Sequence, residues 1–172
     1  MERFARHWPW AALVASAAML AIAHAFETFG HFAPCTLCLK ERQIYWAALS
    51  LSAAAAALGF TSAAPRATRI ANLLLTVIFF YSALVAGYHA GAEWHWWPGP
   101  ASCSGGAVHV GTADLQAFLH GAPAAMPTCD KAVWIFWGLS MAGWNAVISL
   151  GLAGLSALAT SRGRPEEAPG RP

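Results

Sequence analysis

Four apolar stretches, each long enough to cross a bilayer as a helix, constrain this chain more than any other feature. They cover residues 8–26, 43–60, 70–88 and 132–159. About 20 apolar residues in a helix span the roughly 30 Å hydrocarbon layer, where only helices and closed barrels satisfy their own backbone. Composition agrees, since only 10% of the residues are charged, against about 25% in an ordinary soluble domain. A formal net charge of +2 gives no electrostatic footprint for nucleic acid. The chain reads as all-α and integral to the membrane: one four-transmembrane-helix bundle over residues 1–159, then a disordered tail over 160–172 rich in Arg, Pro and Glu.

The first stretch follows Arg3 and Arg6, has Pro9 in its first turn and passes through Ala23-His24-Ala25. A cleaved signal peptide shows a similar pattern, but its apolar core is only about 7–15 residues, so a retained helix is expected. The second stretch stops at Gly59 and the Thr61-Ser62-Ala63-Ala64-Pro65 segment. Asn72 stands near the start of the third. Small residues at four-residue intervals, Ala17, Ala21 and Ala25 in the first stretch and Gly138, Ala142 and Ala146 in the fourth, are expected to let helices approach closely.

Basic residues orient the bundle. Seven of the ten Lys and Arg residues, namely Arg3, Arg6, Arg66, Arg69, Arg162, Arg164 and Arg171, lie in the two tails and the middle loop. The positive-inside rule puts those segments, and both termini, in the cytoplasm. The outer loops are then 27–42 and 89–131, and they hold all four cysteines. In the second, Trp94, Trp96 and Trp97 suit an interfacial belt. Asp114 to His120 reads as a short interfacial helix ended by Gly121 and Pro123.

The cysteines are Cys35 and Cys38, a Cys-x-x-Cys pair, with Cys103 and Cys129 far apart in the second outer loop. No metal is expected, because a Cys₄ zinc site usually has two close pairs. Two structural disulfides, in a membrane scaffold without catalytic activity, are the alternative. A loop closed between Cys103 and Cys129 would be stabilised by about 3 kcal/mol, whereas a Cys35–Cys38 ring gains almost nothing that way. Such small rings more often exchange electrons. The pair lies at or just before the first turn of the second helix, where partial positive charge favours a thiolate. Arg42, four residues after Cys38, falls on its face of that helix and is positioned to lower its pKa or to bind an acceptor oxygen. Lys40 and Glu41 read as solvated loop charges, and Glu27 as loop-facing. With no haem, dinucleotide or iron–sulfur motif present, membrane quinone remains as the two-electron acceptor.

These residues resemble a known family. Pro34-Cys35-Thr36-Leu37-Cys38 with Glu41-Arg42, then Trp97-Pro98-Gly99-Pro100-Ala101-Ser102-Cys103, then Cys129-Asp130 and Gly138-Leu139-Ser140-Met141, look like the disulfide bond formation protein B (DsbB) family, from about Trp10 to Leu158. The resemblance implies a multi-pass protein of the bacterial inner membrane with both cysteine-bearing loops periplasmic. It implies an enzyme, a protein-dithiol:quinone oxidoreductase that re-oxidises a periplasmic thioredoxin-like thiol oxidase (DsbA-like). Cys103 would be attacked by that partner, and Cys129 would pass electrons to Cys35–Cys38 through a Cys35–Cys129 disulfide. Cys38, as thiolate, would pair with the quinone, ubiquinone or else menaquinone, with Arg42 stabilising the anion. His89, near the outer end of the third helix, is the nearest match to the family's quinone-site histidine.

Overall fold

The computed structural model describes residues 2–59, 64–100, 103 and 128–162. Among the described residues four helices follow one another: α1 (Glu2–Thr28), α2 (Thr36–Leu58), α3 (Ala64–Glu93) and α4 (Met141–Arg162). A two-stranded hairpin, β1 (Ile135–Phe136) and β2 (Leu139–Ser140), leads into α4. The helices run alternately up and down. Arg162 sits over the Phe4 ring at one end, while Arg42 meets Glu27 at the other. The helices α1, α3 and α4 are long and apolar enough to cross a membrane.

Burial is distributed as lipid solvation requires. Ser16, Ser52, Asn72, Ser82, Asn145, Ser149 and Ser156 point inward, while Val14, Leu73, Val77, Phe80, Leu84, Leu150 and Leu158 point outward. Lipid offers no hydrophobic drive for bringing helices together, so small side chains and hydrogen bonds must do it. Trp8 donates to Ser156 Oγ at 2.9 Å. The central apolar cluster is Trp8, Ala12, Leu20, Tyr45, Ala48, Leu75, Phe79, Ala153 and Ala159.

Several expectations change. The buried face of α1 is Ala5, Trp8, Ala12, Ser16 and Leu20, not the Ala17–Ala21 side, which is exposed. On α4, Ala142 is buried as expected, but the stripe continues through Asn145, Ser149, Ala153 and Ser156, and Gly138 lies outside the helix. The helix starts at Met141, not Ala132, because Trp137 and Gly138 take φ of 50° and 78° and turn the chain back on itself. Two positive φ values are what a tight hairpin turn requires, and glycine accepts this readily. Ser140 Oγ then accepts the Gly143 N–H at 3.0 Å, which satisfies a first-turn donor of α4. At their starts the other helices outrun their apolar stretches, and α2 begins at Thr36. The short helix expected over Asp114–His120 lies outside the described residues, as does the tail beyond Arg162.

Pro9 lies inside α1, beyond its first turn. Proline has no N–H for the carbonyl four residues back. That carbonyl belongs to Ala5, and Asn72 of α3 donates to it at 3.1 Å. An interhelical bond thus takes the place of the missing helical one.

Candidate redox site

The end of α2 that carries Cys35 and Cys38 is where the sulfur residues gather. Pro34 keeps the preceding residue extended, and Cys35 follows as the helix N-cap with φ −75° and ψ 173°. Its sulfur takes the place of the usual capping oxygen and accepts the Cys38 backbone N–H at 3.3 Å. Both are free thiols, 3.0 Å apart. The hydrogen bond between the two thiols and the one from the Cys38 N–H hold the Cys35 thiol below its ordinary pKa. Burial and the Glu41 carboxylate push the other way without prevailing.

Cys103 and Cys129 are joined as a disulfide with Cα atoms 5.3 Å apart. This disulfide is buried against Cys35 and Leu37. The Thr36 hydroxyl, from within the Cys-x-x-Cys, lies 3.2 Å from Cys103 Sγ and 3.7 Å from Cys129 Sγ. Cys35 Sγ, Cys129 Sγ and a ring nitrogen of His89 all lie within 4.8 Å of one another. Three such groups can hold a metal ion, but Cys129 is already bonded to Cys103 and offers no thiolate here.

The charged residues around the pair differ from their sequence reading. Glu41 is not a solvated loop charge. It is in α2 and only 8% exposed, and His89 and Asn145 account for its burial. His89 Nδ1 meets Glu41 Oε1 at 2.7 Å, and Asn145 Nδ2 donates to Glu41 Oε2 at 2.7 Å. Tyr45 donates to Asn145 Oδ1 at 2.9 Å and also contacts Ser149, which contacts Ser82. The other ring nitrogen of His89 faces Cys35 Sγ at 3.5 Å. The sequence singles out His89, which the structure brings beside Cys35, but gives no such place to Glu41, Asn145 or Thr36. Polar residues on otherwise apolar stretches were the available signal for Asn145.

Arg42 follows Cys38 by one helical turn, but its guanidinium turns to α1, pairing with the Glu27 carboxylate and donating to the Ala23 carbonyl at 3.0 Å. Glu27 is therefore a helix-joining residue, not a loop-facing one. Lys40 is exposed on the opposite flank of α2, where a groove of about 540 Å³ is lined by Thr36, Leu37, Lys40, Leu84, Val85, Tyr88 and Pro100. Above it, Trp97 stacks on Tyr88 and donates to its carbonyl at 2.8 Å. This is possible only because residue 91 is glycine: a Cβ there would lie 2.0 Å from the Trp97 ring.

A dithiol held against a disulfide, at one end of a helical bundle that turns its apolar side chains outward, defines a membrane protein of thiol–disulfide exchange. The chain belongs to the DsbB family: the model for disulfide bond formation protein DsbB matches residues 5–159. No curated protein matches it. It is accordingly a multi-pass membrane protein of disulfide bond formation, with oxidoreductase activity in that process.

Proposed function

We propose that the protein draws electrons from a periplasmic thioredoxin-like dithiol oxidase through Cys103–Cys129, moves them to Cys35–Cys38 and delivers them to membrane quinone. One observation carries this reading: the Cys35 thiol and the Cys103–Cys129 disulfide are packed together, with Thr36 bridging them. Exchange requires a thiolate aligned on a disulfide sulfur and a leaving sulfur that is stable as an anion. Cys35 supplies the lowered thiol, and Thr36 supplies a donor for a departing sulfur.

Quinone, when bound, supplies the two-electron oxidising power. The residues fit such a group: Cys38 is more exposed than Cys35, and Arg42, one helical turn further along α2, has N–H groups beyond those given to Glu27 and Ala23. Cys38 and Arg42 would hold it, with Arg42 fixed in place by α1. His89, whose ring nitrogens face Glu41 and Cys35, serves the thiol side of the site. In this reading α2 is the fourth span, the cysteine end is periplasmic, and both termini are in the cytoplasm of a bacterium, with the domain covering 1–159.

Purified protein given a reduced thioredoxin-like partner and ubiquinone should reduce the quinone, followed optically. Turnover that survives Cys38→Ser or Cys103→Ser would sink the relay. Replacing ubiquinone with menaquinone in the same assay identifies the preferred acceptor.

A further inference from the structure

Glu41, His89 and Asn145 come from α2, α3 and α4 and meet inside the bundle. Burying an ionisable pair among membrane helices is costly, and where it occurs it commonly lies on a proton or ion path. A carboxylate accepts only, so His89 Nδ1 carries the hydrogen toward Glu41 Oε1. The Nε2 lone pair is thereby directed at Cys35 Sγ, 3.5 Å away. A carboxylate on one ring nitrogen and a thiol on the other is the arrangement in which an imidazole exchanges a proton with sulfur.

We propose that His89 is the proton partner of Cys35, and that Glu41 is the positioning residue that orients the ring and stabilises its imidazolium form. Asn145, by bonding the second oxygen of Glu41, fixes which oxygen faces His89. The inference rests on the relay proposed above for the direction in which the site turns over.

The step it serves balances without any outside reagent. In a Cys35–Cys129 disulfide, the Cys103 thiolate attacks Cys129 Sγ. The Cys103–Cys129 bond forms, the Cys35–Cys129 bond breaks, and the bonding electron pair leaves on Cys35 Sγ. The His89 imidazolium faces that sulfur, stabilises it as thiolate and gives it the proton when the thiol forms. In the reverse direction His89 Nε2 takes the proton from Cys35 before attack. The structure has the arrangement this step produces: Cys103–Cys129 closed, Cys35 a free thiol, and Cys129 still within reach of it. Among the described residues, the other ionisable groups near the His89–Cys35 contact are Cys38, 3.0 Å from Cys35 Sγ, and Glu93 of α3, 4.0 Å from His89 Nε2.

The test uses the full chain in detergent with Cys103→Ser and Cys129→Ser, so that only Cys35 and Cys38 react. Alkylation of Cys35 by iodoacetamide, read by mass spectrometry of its peptide, is followed across pH. Neither quinone nor a soluble partner takes part, so failure of the electron relay and failure of this inference are distinguishable. With His89→Gln the Cys35 midpoint should rise by about one pH unit, roughly a tenfold loss of rate below it. With Glu41→Gln it should rise by less, and adding Glu41→Gln to His89→Gln should change little more. A His89→Gln midpoint equal to that of the parent overturns the proposal. The parent protein supplies a second measurement that needs no substitution at the dyad: the ¹⁵N shifts of His89 should change together with Cys35 ionisation. A His89 ring that stays neutral while Cys35 ionises would equally overturn it.

Discussion

Thr36 is the side chain through which one cysteine pair touches the other. Its hydroxyl is within hydrogen-bond reach of both sulfurs of the Cys103–Cys129 disulfide. Whichever of those sulfurs leaves in an exchange step, Thr36 is placed to donate to it. Thr36→Val keeps the shape and removes the donor, so the disulfide should still form while its opening slows by about three- to tenfold, the equivalent of one modest hydrogen bond. Stopped-flow reduction by a small dithiol, quenched with acid, measures this; an unchanged rate would leave Thr36 as packing only. Arg42 and Lys40 provide a second comparison at single residues. Because Arg42 stands one turn from Cys38 and Lys40 faces the other flank, Arg42→Ala should raise the quinone concentration needed for half-maximal turnover about tenfold. Lys40→Ala should leave it nearly unchanged, and the reverse order would move the quinone to the Lys40 groove.

Between elements, the join of α1 to α3 at Pro9 is the clearest case of sequence and packing acting together. Proline frees the Ala5 carbonyl and Asn72 takes it. Asn72→Ala should therefore destabilise the bundle by about 1 kcal/mol, in the range of interhelical hydrogen bonds in membranes. In a Pro9→Ala background, where the helix can bond Ala5 itself, the same substitution should cost much less. A double-mutant cycle on thermal unfolding in detergent reads the coupling, and simple additivity would remove Asn72 from that role. The upper end of α3 depends likewise on Gly91. Gly91→Ala has to displace Trp97 from Tyr88, so near-ultraviolet dichroism and Trp emission should change even where the helices remain folded.

Among the described residues, the decisive property of the whole molecule is that serine and asparagine side chains are buried between the helices while many large apolar side chains face out. That distribution suits lipid and would not survive in water. If α2 is the fourth span, a reporter fused after Pro172 should be cytoplasmic, and after reduction Cys103 and Cys129 should be labelled by a membrane-impermeant maleimide added from outside. An external C-terminal reporter would break the up-and-down count.

The helices, the Cys-x-x-Cys and the grouping of basic residues were legible in the sequence, because apolar length, a three-residue cysteine spacing and loop charge are local properties. Glu41 was not. Beside Lys40 and Arg42 in a run of charges it reads as solvated, and only partners on two other helices, at His89 and Asn145, account for its burial. Arg42 points the same way: helix register puts it on the Cys38 face, yet a carboxylate and a carbonyl of α1 decide where its guanidinium turns. The start of α4 was missed because apolar content continues unbroken through Trp137, while backbone geometry at Trp137 and Gly138 reverses the chain. What the sequence determined by itself was a helical membrane chain with a redox-type cysteine pair at one helix start. What only the tertiary structure decided was which sulfurs, acids and bases face one another, since those contacts join residues up to about a hundred positions apart and depend on how the helices pack.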